Sequence, residues 1–273
     1  MGTYAMKKIL IVIPVINLWE KYTRPLLENI KNDLIPNTKH ELSVALMDNG
    51  STDETKGLRV PIEEYPFIEM VFRSDENRGL SPVWNIACKR AFSTERDFVF
   101  IINNDVLFNK DAINNLVERF ERGGVGMVTC MNVRGELSDP TKVITMDATQ
   151  KSGVEESESP DFSAFMISGE TYKTVGEFDE GYFPAYFEDN DYHYRMKLAN
   201  NKAICVPTAL YYHFGSRTQN EALGHPIVPS GFFLKNMDYF TKKWGGTPAN
   251  ETFKVPFNNP NNDIKKTHQH EGI

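Results

Sequence analysis

The chain has 273 residues, 40% of them hydrophobic and 25% charged, with a formal net charge of -7. That length suits one hydrophobic core with an appendage, and the composition is that of an ordinary globular protein. The negative balance argues against wrapping nucleic acid or an anionic bilayer, though not against a nucleotide, whose phosphates a metal ion and a few local donors can hold.

Cys88, Cys130 and Cys205 are widely spaced, odd in number and set in apolar stretches. They read as buried free thiols of a reducing compartment, and without a CxxC pair no cysteine zinc site is expected. The longest apolar run near the start, Ile9 to Ile16, is interrupted by Pro14 and is too short to span a bilayer. A cytoplasmic location is expected, with a peripheral place at the inner membrane face as the remaining option. Met1 to Ala5 take no part in the fold argument.

Ile9 to Ile13 is a β-branched run suited to a strand buried on both faces. A helix pattern follows over Trp19 to Asp33, with Leu26, Leu27 and Ile30 as its stripe. Leu42 to Met47 reads as the second strand and ends in Asp48-Asn49-Gly50-Ser51-Thr52-Asp53; Ile68 to Phe72 is the third, followed by Asn77-Arg78-Gly79. The next helix opens near Ser81-Pro82, with Ser81 as cap, and its stripe of Val83, Trp84, Ala87, Cys88 and Ala91 assigns Trp84 to the core. Phe98 to Ile102 is a fourth strand with Asn103-Asn104-Asp105 at its end. Ile113, Leu116, Val117 and Phe120 then mark a helix stopped by Gly123-Gly124.

Strands alternating with helices imply a largely parallel, doubly wound sheet, whose ligands bind beyond the carboxyl ends of the strands. Asp48 and Asp105 fall at two such ends. After residue 130 the rhythm changes. Lys151 to Asp161 reads as an exposed acidic loop, placed to act as a lid; Ser163 to Ser168 and Ala203 to Val206 read as strands, with Tyr211-Tyr212-His213 after the latter. Phe232, Phe233, Tyr239, Phe240 and Trp244 recur at helical spacing. From Lys254 onward the chain reads as a polar tail or arm.

Asp105 offers a hard oxygen ligand at the mouth of the sheet, of the kind that holds Mg²⁺ or Mn²⁺ on a phosphate; an Asx turn is the other reading. The Asp48 segment is equally a plain turn when taken alone, and Arg78 either meets a phosphate or is a solvated surface residue. In Glu188-Asp189-Asn190-Asp191, three carboxylates within four residues repel one another, so raised pKa values are expected, as suits a general base. The same cluster is the acidic first turn of a helix over Asn190 to Ala199. His213 is either a hydrogen-bonded structural residue or a ligand.

The ordered set Pro14, Asp48-Asn49-Gly50-Ser51-Thr52-Asp53, Asn77-Arg78-Gly79-Leu80 with Asn85, Asn104-Asp105, Gly176-Glu177-Phe178-Asp179-Glu180, Phe187-Glu188-Asp189-Asn190-Asp191 and His213 resembles the family 2 glycosyltransferases of the GT-A fold. The likeness is strongest to their rhamnosyl- and galactofuranosyl-transferase-like branch and covers Lys8 to Arg217. It implies an α/β fold with a Rossmann-like, mostly parallel sheet flanked by helices, over residues 6–225, and a C-terminal helical extension with a polar tail over 226–273. It further implies inverting transfer of a sugar from a UDP- or dTDP-type nucleotide-sugar to an acceptor hydroxyl of a glycan, polysaccharide or glycoconjugate. Asp189 takes the place of the catalytic base, with Glu188 and Asp191 supporting it or the acceptor. By the same resemblance Asp48 would contact the nucleotide base, Pro14, Val15, Ser51, Asn77, Arg78, Asn85 and Asn104 would complete the donor site, and Asp105 and His213 would hold Mn²⁺ or Mg²⁺. Asp105 is the one carboxylate left in the family's DxD-type motif, because asparagine replaces the first acid.

Two rivals within enzymes fail on motif. A sugar-phosphate nucleotidyltransferase needs a glycine-rich basic loop where the chain reads Pro14-Val15-Ile16-Asn17-Leu18, and a dehydrogenase needs GxGxxG after a strand. A catalytically inactive nucleotide- or carbohydrate-binding protein of the same fold is the alternative from another class, and the Glu188-Asp189-Asn190-Asp191 cluster counts against it. An oligomer contact through the C-terminal extension is one further option.

Overall fold

The computed structural model describes residues 5–53, 55, 63–215 and 231–265. The expected boundary between 225 and 226 lies outside those residues. One sheet of eight strands organises the fold, in the order β3-β2-β1-β4-β7-β6-β8-β5. β1 (Lys8–Val15), β2 (Glu41–Asn49), β3 (Ile68–Ser74) and β4 (Phe98–Ile102) run parallel. β7 (Ala164–Ser168) runs antiparallel between β4 and β6 (Met127–Asn132). β8 (Ala203–His213) is parallel to β6, and β5 (Val106–Phe108) closes the order antiparallel to β8. The expected α/β architecture with a mostly parallel sheet is the one observed.

Alternating residues of the central strands face two separate cores. Ile9, Ile11 and Ile13 pack with Leu26 and Leu27 of α1 (Arg24–Asn29) and with Ile113, Leu116 and Val117 of α4 (Ala112–Glu121). Leu10 and Val12 face the other way, onto α3 (Leu80–Ser93), α5 (Gly169–Val175) and α6 (Glu188–Leu198). Both faces are therefore covered, which is why these strands read as unbroken apolar runs.

Several boundaries differ from the sequence expectation, each for a local reason. The first helical run continues to Asn37 through the π turns Trp19–Thr23 and Ile30–Leu34 and the short α2 (Ile35–Asn37). Ser81 does not cap α3: Gly79, at φ 84°, takes that place, and the Ser81 hydroxyl is buried without a partner. β5 and β6 were hidden in short or mixed stretches, and β8 continues through Pro207 and Thr208 to His213. The Lys151 to Asp161 loop is pinned by Arg119–Glu156 (2.6 Å), Lys202–Glu158 (3.0 Å) and a Ser157–Cys205 bridge to β8. Residues 254–265 are mostly exposed, but Pro256 is buried and Ile264 packs against the cluster around Tyr182 and Trp244. α7 (Gly231–Trp244) turns Asn236, Phe240, Lys243 and Trp244 inward to that cluster. No helix among the described residues is long and apolar enough to cross a membrane.

Candidate active site

A cleft of about 550 Å³ opens at the carboxyl ends of β1, β2 and β4. Pro14 and Val15 end β1 and form one wall; Asn49 and Asn77 stand beside them. Asn49 holds this side together: its amide donates to Asn77 Oδ1 and the Gly79 carbonyl, both at 3.1 Å, and its Oδ1 accepts from Arg78 N at 2.9 Å. The chain can pass so close only because residue 50 is glycine at φ 85°, where a Cβ would lie 2.4 Å from the Glu76 carbonyl carbon.

Asn103, Asn104 and Asp105 line the floor where β4 gives way to β5. The β5–β8 ladder pairs Val106 with His213, which brings His213 Nε2 to 3.2 Å from Asp105 Oδ1. Asn104 is fixed to Thr23 (3.2 Å), and Asn103 Nδ2 stands 3.4 Å from His213 Nε2. One carboxylate oxygen and one imidazole nitrogen at this separation suit a divalent ion such as Mn²⁺ whose remaining ligands are diphosphate oxygens and water. Among the described residues no group of three or more His, Cys, Asp or Glu could hold a metal alone. The residues present thus fit a metal shared with a phosphorylated ligand.

Glu188 and Asp189 enter the cleft from the N-terminus of α6. Tyr186 and Phe187 precede them in left-handed backbone, at φ 81° and 72°, and this turn gives α6 its entry. Burial pushes the Asp189 carboxyl above the ordinary range, Asp161 adds to the rise, and a 2.7 Å hydrogen bond from Asn190 N opposes it. Glu188 is pushed well up, first by burial and then by the Asp189 charge, and its Oε2 is sealed from water without a partner.

The expected site residues divide into two groups. Pro14, Val15, Asn77, Asn104, Asp105, Glu188, Asp189 and His213 line one cleft. Five others do not. Asp48 is buried beside it, accepting from Ser51 N at 3.0 Å and Arg73 Nη1 at 3.0 Å, while Ser51 Oγ accepts from Asn17 N at 2.9 Å. Arg78 is exposed. Asn85 faces the core, donating to the Phe178 carbonyl (2.9 Å) and Glu180 (3.0 Å). Asp191 turns away from the cleft into ion pairs with Arg195 (2.8 Å) and Lys243 (2.6 Å). Burial alone would raise its carboxyl, but Lys243 and Arg195 outweigh that and hold it at about 2.

The cleft also contains residues that the sequence reading did not assign to it: Asn49, Trp84, Asp161, Phe162 and Tyr186. Trp84 is a core residue, edge-packed on Phe165 and Phe178, that also reaches the cleft. Asp161 precedes β7, and because β7 is antiparallel to β4 its start lies beside the end of β4. The change of rhythm after residue 130 was the signal for that reversal. Tyr211 OH donates to Asp161 Oδ2, and Ser163 N to its Oδ1 at 2.9 Å.

Comparison with known proteins converges on the same architecture. A galactofuranosyl glycosyltransferase of Leishmania donovani is 36% identical over 89 residues, 32% of this chain and 20% of that protein. An N-acetylglucosaminyl-diphospho-decaprenol L-rhamnosyltransferase of Mycobacterium tuberculosis is 24% identical over 236 residues, 74% of this chain and 76% of that protein. Among solved structures, the Pyrobaculum calidifontis mannosyltransferase PcManGT in complex with GDP-Man and Mn²⁺ shares the fold with a TM-score of 0.58 and 19% identity, over 87% of this chain and 70% of that one. S. aureus TarS 1-349 in complex with UDP-GlcNAc gives 0.58 and 20%, over 84% and 64%. The family model for glycosyl transferase family 2 matches residues 10–176, the stretch that carries β1 to β4 and the Asn103-Asn104-Asp105 floor, and the chain belongs to that family.

Proposed function

We propose that the protein transfers a sugar, with inversion, from a nucleotide-diphosphate sugar of the UDP or dTDP type to a hydroxyl of a saccharide or glycoconjugate acceptor. The observation that carries this reading is the presence of Asp189 and the Asp105–His213 pair in one cleft. The names of the Mycobacterium and Leishmania relatives, both sugar transferases, support it.

Pro14 and Val15 form the wall against which a nucleotide base lies. Asp48 and Ser51 flank Asn49 and lie buried beside that end of the pocket, and Arg78 stands one residue from the cleft-lining Asn77. Asp105 and His213 would hold Mn²⁺ or Mg²⁺, which when bound neutralises the diphosphate and stabilises the leaving group. Asp189 takes the proton from the acceptor hydroxyl as that oxygen attacks the anomeric carbon on the face opposite the nucleotide. A carboxyl raised above its usual range is the stronger base for this step, and Glu188, pushed well up first by burial and then by the Asp189 charge, is the harder of the two to ionise.

Calorimetry with a panel of nucleotides and nucleotide-sugars, with and without Mn²⁺, tests the reading. Metal-dependent binding of one nucleotide diphosphate, lost in Asp105→Ala, is the expected result, together with an Asp189→Asn protein that binds donor but does not transfer. Absence of nucleotide binding under every condition would overturn it. Donor binding without turnover by the wild type on any acceptor would leave a nucleotide-sugar-binding protein.

A further inference from the structure

α7 lies outside the sheet, yet the segment it grips is the one that delivers Asp189. Asn236 is buried, with 1% exposure, and its amide nitrogen donates to the carbonyls of both Ala185 (2.9 Å) and Tyr186 (3.1 Å). Ala185 and Tyr186 line the cleft, and Tyr186 begins the left-handed pair that leads directly into Glu188 and Asp189. Two successive non-glycine residues in that region persist only where the surroundings hold them. Phe233 packs on both rings of the pair, with centroids 5.4 Å from Tyr186 and 5.1 Å from Phe187.

We propose that Asn236 is a positioning residue for Asp189: by tying down the Ala185 and Tyr186 carbonyls it holds the left-handed turn whose exit sets the Asp189 carboxyl in the cleft. The role rests on the reading of Asp189 as the base. The same two hydrogen bonds fix the Ala185–Tyr186 wall, so the fit of the acceptor and the place of the base are set together. An asparagine amide meets the need because it brings N–H donors without a charge. Aspartate at the same place would put an acceptor against two carbonyls, and leucine would leave both unpaired.

The test compares Asn236→Asp and Asn236→Leu with Val117→Ala, a core truncation in α4 on the opposite face of the sheet. In both Asn236 variants the amides of residues 185–190 should exchange at least about tenfold faster relative to those of β1 and β4, a local opening that Val117→Ala does not produce. The transfer kcat should fall at least about tenfold while the nucleotide diphosphate Kd changes by less than about threefold. Exchange at 185–190 no faster than in Val117→Ala, or an unchanged kcat, would overturn the proposal. The exchange arm needs no turnover, so it separates the hydrogen-bonded turn from the base. If the turn loosens but Asp189→Asn still transfers, the base assignment falls, and the role given to Asn236 falls with it.

Discussion

Lys243 Nζ lies 2.6 Å from Asp191 Oδ1, and neither side chain exposes any surface. The same ammonium meets Asp179, Trp244 Nε1 donates to Asp191 Oδ1 at 2.7 Å, and Arg195 Nε takes Asp191 Oδ2 at 2.8 Å. Asp191 thus joins α6 to α7. Its charge is stabilising because two cations and an indole replace the water it lost. Asp191→Ala should destabilise the fold by about 3–5 kcal/mol, since Lys243 and Arg195 are left partly unpaired in the interior. Urea melts of Asp191→Ala, Lys243→Met and the double variant check this. The double variant should be less destabilised than the sum of the singles, and strict additivity would refute the coupling. The sign with pH follows from a folded pKa of about 2 against an ordinary 3.8: the contribution is present above pH 3.8 and is lost as pH falls through about 2.

Glu188 presents the opposite case. Its carboxyl is raised by burial, and Oε2 has no partner, so ionisation costs the folded state more than the unfolded chain. The folded protein therefore binds the proton more tightly, and stability falls as pH rises from 4.5 toward the raised folded pKa. Glu188→Gln removes that penalty. Its Tm should exceed the wild-type value at neutral pH, and the gap should close as pH falls below 4.5. Scanning calorimetry across pH reads the difference directly; a gap independent of pH would show that the folded state does not raise the Glu188 carboxyl.

The contrast between Asp189 and Asp191 marks how far the sequence could be read. Three acids at the head of a helix are visible in the sequence, but that Asp191 turns away while Glu188 and Asp189 face the cleft goes with its pairing to Lys243, far along the chain. Asn85 lies off the cleft for a similar reason: its partners Phe178 and Glu180 sit on a loop whose path no local pattern predicts. The parallel half was legible because Ile9 to Ile13 and Phe98 to Ile102 are buried on both faces and read as unbroken apolar runs. β5, only Val106 to Phe108, carries no periodicity of its own, yet its pairing with β8 is what brings Asp105 and His213 together.

That pairing yields a prediction about metal. Asp105→Ala and His213→Ala should each weaken Mn²⁺ binding in the presence of nucleotide diphosphate. Loss of an outer partner alone typically costs about 10–100-fold in metal affinity, so removal of a ligand should cost no less. Electron paramagnetic resonance of free Mn²⁺ measures the affinity without turnover. His213→Ala with unchanged Mn²⁺ affinity would return His213 to a structural role, packed over Tyr211.

The acid limb of the pH–rate profile reports the base. A carboxyl raised by burial and by the Asp161 charge stays protonated to higher pH than an ordinary aspartate, so kcat at saturating donor and acceptor should rise with pH through that raised value and then level off. Asp189→Asn should lower kcat by about 10²–10⁴ and abolish the limb. Asp161→Asn should move the limb to lower pH while leaving the plateau largely in place, because it removes a negative charge that disfavours the Asp189 carboxylate. Its lost acceptor for Tyr211 OH is structural and should appear in Tm, not in the position of the limb. A limb that stays where it was in Asp161→Asn, or one that survives Asp189→Asn, would assign the titration to another group in the cleft.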